Sequence, residues 1–234
     1  YLSVRAKKIA QAIRAVANEV ESDLAGLQAT FSRAYGTAGP TPFGTANDYT
    51  DASNVLKILK DNGSPQSDNQ LVINTAAGAN FIGKQSAVNS AGTDSMLRQG
   101  VLLDLAGMPL RESAQIADFT AGTGSSATTD DSGYAVGATV LTLASAGTGT
   151  LLAGDVVTFA GDSNKYVITS GDADVSGGGT ITLAAPGLRV AMSAATKAIT
   201  VVASAARNMA FNRSALVLAA RAPARPEDCL LYTS

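Results

Sequence analysis

The second half of the sequence repeats one pattern, in which a short apolar run is followed by a turn rich in Gly, Ser and Thr. Runs of this length between such turns are typical of short β-strands. The predicted strands are residues 138–143, 155–159, 165–169, 180–183 and 198–202. Short strands at this spacing predict a small barrel or sandwich, and we assign residues 119–205 to an inserted β-barrel-like domain.

The first 34 residues carry a helical periodicity instead. Apolar residues recur at steps of three and four, at Ile9, Ile13, Val16, Val20, Leu24, Leu27 and Phe31. This spacing places one apolar stripe along a long amphipathic helix, from residue 3 to about residue 34. We expect the stripe to lie on a core. A coiled coil is the alternative, although Ala and Asn along the flanks count against it.

Helix and strand signals alternate through the rest of the chain. After a Gly- and Pro-rich segment, the patterns predict a helix at 48–59, a buried strand at 69–75, a weak helix at 76–87, a loop at 88–93, two strands around the turn DLAG within 96–111, and a turn followed by a strand or helix at 208–220. The sequence therefore predicts an α+β body, residues 1–118 and 206–228, which the β domain interrupts.

Both ends of the chain look cut. Tyr1 lies directly inside the helical pattern, and Arg5, Lys7 and Lys8 crowd the N-terminal turns, where positive charge opposes the helix dipole. Residues 229–234 follow a polar, Pro-containing stretch abruptly and resemble translated sequencing-adapter sequence. We therefore expect a fragment that lacks both ends, and we give Cys229 no functional role.

Composition excludes several kinds of chemistry. The 234 residues contain no His and one Cys, and the formal charge is −2. Without His there is no His-based acid–base pair and no His-ligated metal site. A slightly acidic chain with no polybasic patch is not suited to binding nucleic acid through phosphate neutralisation. The apolar runs are too short for a membrane span, and one Cys excludes an internal disulfide.

One segment imitates a nucleotide site. Residues 78–85 (GANFIGKQ) follow the G-x-x-x-x-G-K frame directly after a predicted strand, and Asp104 ends an apolar run downstream as a Walker B carboxylate would. However, Gln85 replaces the hydroxyl residue that should bind Mg²⁺, and the residues after it are poor helix formers. We therefore interpret the segment as a false match, and nucleotide hydrolysis as a minor alternative.

Metal and nucleophile signals are weak as well. Asp130, Asp131, Asp172 and Asp174 could hold Ca²⁺, but their spacing is not that of an EF-hand loop, and solvated turn carboxylates are the preferred interpretation. No Ser or Lys has a sequence partner that marks it as a nucleophile. The sequence thus predicts no catalytic, cofactor-binding or metal-ligating residue, no cofactor and no enzyme activity.

Three segments, in this order, resemble the major capsid (coat) proteins of short-tailed Salmonella-type phages. The long helix 5–27 (RAKKIAQAIRAVANEVESDLAGL) is similar to the family's spine helix. Residues 69–88 with 96–113 (MLRQGVLLDLAGMPLRES) are similar to its pattern of strand, docking helix, strand and turn. Residues 139–161 (TVLTLASAGTGTLLAGDVVTFAG) are similar to the opening strands of its inserted β domain, and 210–226 to the strand that returns to the body.

The resemblance implies the tailed-phage capsid fold, with spine helix, peripheral and axial domains and an inserted small β-barrel. It implies a structural subunit that assembles with copies of itself into pentamers and hexamers of a virion shell in the bacterial host cytoplasm. Its partners would include scaffolding and portal proteins, without a membrane and without sequence-specific nucleic-acid binding. A β-rich surface or secreted adhesin is the alternative of another class.

Overall fold

A computed structural model of the chain describes residues 2–45, 48–84 and 104–219. Within them it combines helices and β-strands, as the predicted α+β class requires. The predicted loop at 88–93, the first strand of 96–111 and the tail 229–234 lie outside the described residues. No helix of the described part is long and apolar enough to cross a membrane.

Three helices belong to the N-terminal part of the described chain. They are α1 Leu2–Gly26, α2 Thr50–Asp61 and α3 Thr75–Lys84. The strands are β1 Arg33–Ala34, β2 Asn69–Asn74, β3 Leu110–Ser113, β4 Asp118–Phe119, β5 Val140–Leu143, β6 Val156–Phe159, β7 Lys165–Ser170, β8 Gly179–Leu183, β9 Ile199–Val201, β10 Ala205–Ala206 and β11 Met209–Asn212.

The N-terminal helix is shorter than predicted. It passes into a 3-10 turn at Leu27–Thr30, and the chain is extended at Phe31, with φ −71° and ψ 154°. Gly26 at the end of α1 favours this change, because glycine weakens a helix. The following residues Arg33 and Ala34 form β1 instead of a last helical turn.

The apolar stripe of α1 is only partly buried, contrary to our expectation. Val4, Ile9, Ile13 and Val16 are 55%, 61%, 64% and 66% exposed. The far end of the helix is different, because Ala25 is buried with Ile116 and Met209. The prediction that the stripe lies on a core is therefore wrong for the first four turns and holds only where α1 meets the body.

A three-stranded sheet forms the centre of the body. β2 pairs in parallel with β3 and antiparallel with β11, which comes from the other end of the described chain. Leu71 and Ile73 on one face of β2 share a core with Phe81 of α3 and Phe43. Val72 on the opposite face packs with Phe211 near the end of α1. The body is therefore assembled from residues on both sides of the β domain.

The five strands predicted in the second half are all present, and they form one antiparallel sheet in the order β5-β8-β7-β6-β9. Residues 127–130 join its two outer strands. Thr128 pairs with Ala198 beside β9, and Thr129 pairs with Leu143 of β5. The hydrogen-bonded ring is thereby closed around its own core, which includes Leu141, Val157, Phe159, Ile168 and Ile181.

The chain enters and leaves this barrel side by side. β4 and β10 form an antiparallel ladder in which Phe119 lies opposite Ala205 and Asp118 opposite Ala206. The predicted limits of the β domain, 119 and 205, coincide with this ladder. The barrel is also tied to the body elsewhere, since β1 pairs antiparallel with β7. Whether residues 119–205 fold as an autonomous domain stays a prediction.

Candidate functional site

The segment that imitates a phosphate-binding loop is part of a helix. β2 ends at Asn74 and α3 begins at Thr75, so no loop separates strand from helix. The Asn74 side chain caps the helix by accepting a hydrogen bond from the backbone N–H of Ala77 at 3.0 Å. Gly78 and Gly83 both lie inside α3. A phosphate cradle needs free backbone N–H groups in a loop, and this segment does not provide one.

Lys84 has a structural role at the end of α3. Its ammonium group donates a hydrogen bond to the backbone carbonyl of Asp48 and lies 5.6 Å and 5.1 Å from the ring centres of Phe43 and Tyr49. These are the distances of cation–π contacts. Lys84 therefore fastens α3 to the segment before α2, and it lies at the end of a helix instead of in a phosphate-binding loop. Gln85 lies outside the described residues.

Gly78 is explained by packing. A Cβ atom at this position would lie 2.5 Å from Oε2 of Glu112 on β3, closer than side chains approach one another. The missing side chain thus leaves space for Glu112 beside the buried face of α3. The glycine that suggested a nucleotide site from the sequence is consistent with close helix–sheet packing.

The acidic turns of the barrel are occupied by local hydrogen bonds. Asp130 accepts from the hydroxyl groups of Ser132 and Tyr134, at 2.7 and 2.6 Å, and these bonds lower its pKa. Asp174 accepts from the hydroxyl and backbone N–H of Ser176, which lowers its pKa too. Asp172 accepts from the backbone N–H of Asp174 at 2.8 Å. Among the described residues no group of three or more acidic or Cys side chains could hold a metal ion.

The predicted DLAG turn is present and tight. Leu105 and Met108 exchange two backbone hydrogen bonds of 2.9 Å, and φ is positive at Ala106 and Gly107. Two positive φ values in succession are typical of a type I′ turn. Met108, the last residue of the turn, is fully buried in the body core. β3 begins two residues later, at Leu110. Arg111 and Glu112 on that strand are exposed.

The clearest polar cluster lies where the barrel meets the body. The Arg207 guanidinium stacks 3.8 Å from the ring centre of Phe119 in β4 and donates a hydrogen bond to the carbonyl of Gly154 in the barrel. Burial lowers the pKa of Arg207, and the nearby Asp155 carboxylate offsets part of this effect. Arg207 follows β10 directly, so this one side chain contacts the ladder and the barrel together.

Asp155 holds the barrel side of this cluster. The side chain is fully buried, and its two oxygens accept from the backbone N–H groups of Gly122 at 2.9 Å and Leu152 at 2.7 Å. Two backbone donors satisfy a carboxylate that would otherwise be costly to bury. At Gly154, where φ is +90°, a Cβ atom would lie 2.7 Å from the Phe119 ring. Glycine therefore permits the close approach of barrel and ladder.

A second contact between barrel and body surrounds Arg33 of β1. Its guanidinium donates a hydrogen bond to Asn164 in the loop before β7 and lies 4.0 Å from the Asp61 carboxylate of α2. The Arg33 side chain is only 5% exposed. Lys165 donates to the backbone carbonyl of Gly36 across the same contact. A crevice of about 300 Å³ lies between these segments, and Lys57 is among the residues that line it.

These contacts define a joint that sets the position of the barrel on the body. Arg207, Arg33 and Asp155 each bind backbone or side-chain groups from distant parts of the sequence. The local sequence patterns do not mark Arg207 or Arg33 as contact residues. One signal was available, because Arg207 is the sole charged residue between Lys197 and Arg213. An isolated charge in an apolar stretch that forms strands suggests a buried partner.

Comparison with known proteins adds no family to this description. No protein-family model matches the chain, and no curated protein matches it.

Proposed function

We propose that the chain is a structural subunit of an icosahedral tailed-phage capsid, with the capsid fold as its body and the barrel as its inserted domain. The ordered resemblance of the helix 5–27, the segments 69–88 and 96–113 and the opening barrel strands supports this proposal. In this reading α1 is the spine helix, and the segment around 98–113 belongs to the axial domain that faces neighbours at the centre of a capsomer.

The observation that carries the proposal is the insertion itself. The body sheet takes β2 and β3 from before the barrel and β11 from after it, and β4 and β10 bring the chain in and out as a paired ladder. An α+β body interrupted in this way by a closed all-β barrel is the architecture that the resemblance implies. The barrel would then brace its own subunit or reach the next capsomer.

Assembly of a shell requires repeated heterologous contacts that close into rings of five and six. Surfaces with many small and hydroxyl side chains suit extensive, partly hydrated contacts of this kind. The partners are accordingly other copies of the chain, together with scaffolding and portal proteins, and the location is the virion after assembly in the host cytoplasm. The chain catalyses no reaction in this proposal.

Electron microscopy and mass photometry of the full-length gene product test the proposal. We expect rings of five and six subunits or closed shells, and a gene that lies beside terminase, portal and scaffolding genes. The variant Arg111→Glu should reduce ring formation, because it reverses an exposed charge in the proposed axial segment. Lys60→Glu, an exposed change on α2, should leave ring formation unaltered. A full-length protein that stays monomeric at every concentration, with no such genes beside its own, contradicts the proposal.

A further inference from the structure

In the described part of the chain, α1 packs into the body through its C-terminal end. Residues 4–19 are exposed on all sides, whereas Ala25 and the residues that follow pack into the body. At 1.5 Å per residue the exposed part extends about 24 Å. It carries Ile9, Ile13 and Val16 on one side, and these are the side chains that a partner would cover. A helical segment of this length is marginal in water unless its apolar face is packed.

The charges of α1 are separated by sign along the helix. Basic residues lie only in the first half, at Arg5, Lys7, Lys8 and Arg14, and acidic residues only in the second, at Glu19, Glu21 and Asp23. In a lone helix this order is unfavourable, because it places positive charge near the positive end of the helix dipole and negative charge near the negative end. A neighbouring helix that runs the opposite way reverses the sign of both interactions.

We propose that α1 pairs antiparallel with α1 of a second copy of the chain through this apolar stripe. The inference rests on the proposed function in one respect, namely that copies of the chain meet in a common assembly. Charge complementarity favours α1 of a second copy as the partner, because the basic half of each helix then lies beside the acidic half of the other. A membrane surface is a poorer partner, since membrane-binding helices are basic along their whole polar face.

The spacing of the apolar residues defines the register. With the two-fold axis between Arg14 and Ala15, Ile13 of one helix lies opposite Val16 of the other, and Ile9 lies opposite Val20. Both pairs follow the heptad alternation of antiparallel coiled coils. In the same register Lys8 lies level with Glu21. Ala10 and Ala17 flank the stripe and permit the two helices to approach closely.

Disulfide cross-linking tests the pairing and its direction. In a Cys229→Ser background, chains carrying Ile9→Cys are mixed with chains of different size carrying Val20→Cys, under mild oxidation. We expect cross-linked heterodimers from the mixture and little cross-linking of either variant alone. Positions 9 and 20 are about 16 Å apart along one helix, so identical positions are distant in an antiparallel pair. Circular dichroism checks that both variants keep their helix.

Two outcomes overturn the proposal. If the mixture cross-links no more than the single variants, α1 does not form this pair. If each variant cross-links efficiently with itself, the helices run parallel.

Sedimentation velocity independently measures how the charges of α1 affect self-association. Lys7→Glu/Lys8→Glu should weaken self-association, and added salt should weaken wild-type association, whereas Lys60→Glu should have no effect. Equal behaviour of the two variants contradicts the charge argument. Ring formation by electron microscopy is scored separately, so a failure of α1 pairing and a failure of the capsid proposal give different results.

Discussion

Arg207 contacts two parts of the fold through different faces of one guanidinium group. Its planar face lies on Phe119 and an N–H edge reaches the Gly154 carbonyl. A lysine at this position would keep the positive charge. It could not stack on Phe119 and bond to the Gly154 carbonyl at the same time, because an ammonium group lacks the planar face and fixed donors of a guanidinium. The joint between ladder and barrel therefore depends on the shape of the side chain as well as on its charge.

Replacement of Arg207 should destabilise the protein measurably. We expect Arg207→Ala to lower the free energy of unfolding by about 2 kcal/mol, from the loss of a cation–π contact and a charge-assisted hydrogen bond. Arg207→Lys should lose about half as much. The exposed Arg213→Ala is the control and should change stability by less than about 0.5 kcal/mol. Urea unfolding measures all three, and equal effects at 207 and 213 would refute the assigned role.

Tyr166 links the barrel interior to two loops. The residue is 1% exposed, its hydroxyl donates to Asp162 at 2.6 Å, and the same oxygen accepts from the backbone N–H of Arg189 at 2.9 Å. Burial, followed by the hydrogen bond to Asp162, raises the pKa of Tyr166 from 10.0 to about 12. Because the folded state favours the neutral phenol, this contribution to stability is complete below pH 10.

Stability should therefore fall as the pH rises from about 10 through about 12, where the unfolded phenol ionises before the folded one. Tyr166→Phe should flatten this part of the profile while lowering stability at neutral pH, since it removes the hydrogen bonds to Asp162 Oδ2 and to the Arg189 backbone N–H. Tyr35→Phe, at a position that is 46% exposed, is the matched control. Thermal unfolding at several alkaline pH values measures the difference, and parallel profiles for wild type and Tyr166→Phe would contradict it.

At the scale of elements, the barrel depends on close approaches between backbone segments. Leu151 and Asp172 form an isolated antiparallel bridge, with hydrogen bonds of 2.8 Å in both directions. Gly171 lies next to this bridge, and a Cβ atom there would come within 1.9 Å of the Leu151 carbonyl oxygen. Only a glycine lets the two segments meet at this distance.

Gly171→Ala should therefore cost about 3 kcal/mol or more, because backbone and not a flexible side chain occupies the space. Gly177→Ala is the matched control, since nothing lies within 4 Å of a Cβ atom at that position and its φ is not positive. We expect it to change stability by less than about 1 kcal/mol. Chemical denaturation of the two variants provides the comparison, and similar midpoints would show that the bridge tolerates a side chain.

At the scale of the whole molecule, the two largest hydrophobic cores of the described residues lie on either side of the joint. One fills the barrel, and the other lies between the body sheet and helices α2 and α3. The barrel strands complete their ring without help from the body, whereas the body sheet needs β11 from beyond the barrel. The two parts are thus expected to differ in how well they fold alone.

Residues 119–205 expressed alone should give dispersed amide NMR signals, because their hydrogen-bonded ring and apolar core are internal to the segment. The joined remainder, 1–118 with 206–234 linked across the ladder, provides the reciprocal sample. A collapsed, undispersed spectrum from 119–205 would contradict autonomous folding. It would indicate that β1 and the Arg33 and Arg207 contacts are required for the barrel to form.

Local patterns in the sequence determined the elements of this protein. The five barrel strands, β2, the DLAG turn and the second helix all lie where periodicity and turn residues predict them, because these signals depend on neighbouring residues. Tertiary structure decided the rest. Residues 127–130 close the barrel, β11 completes the body sheet, and Lys84 becomes a helix anchor in a segment that imitates a nucleotide site. The α1 stripe shows most clearly what local sequence patterns do not determine, since its spacing specifies an apolar face but not what covers that face. Contacts between distant residues are selected by the free energy of the whole fold, and no short stretch of sequence carries that information.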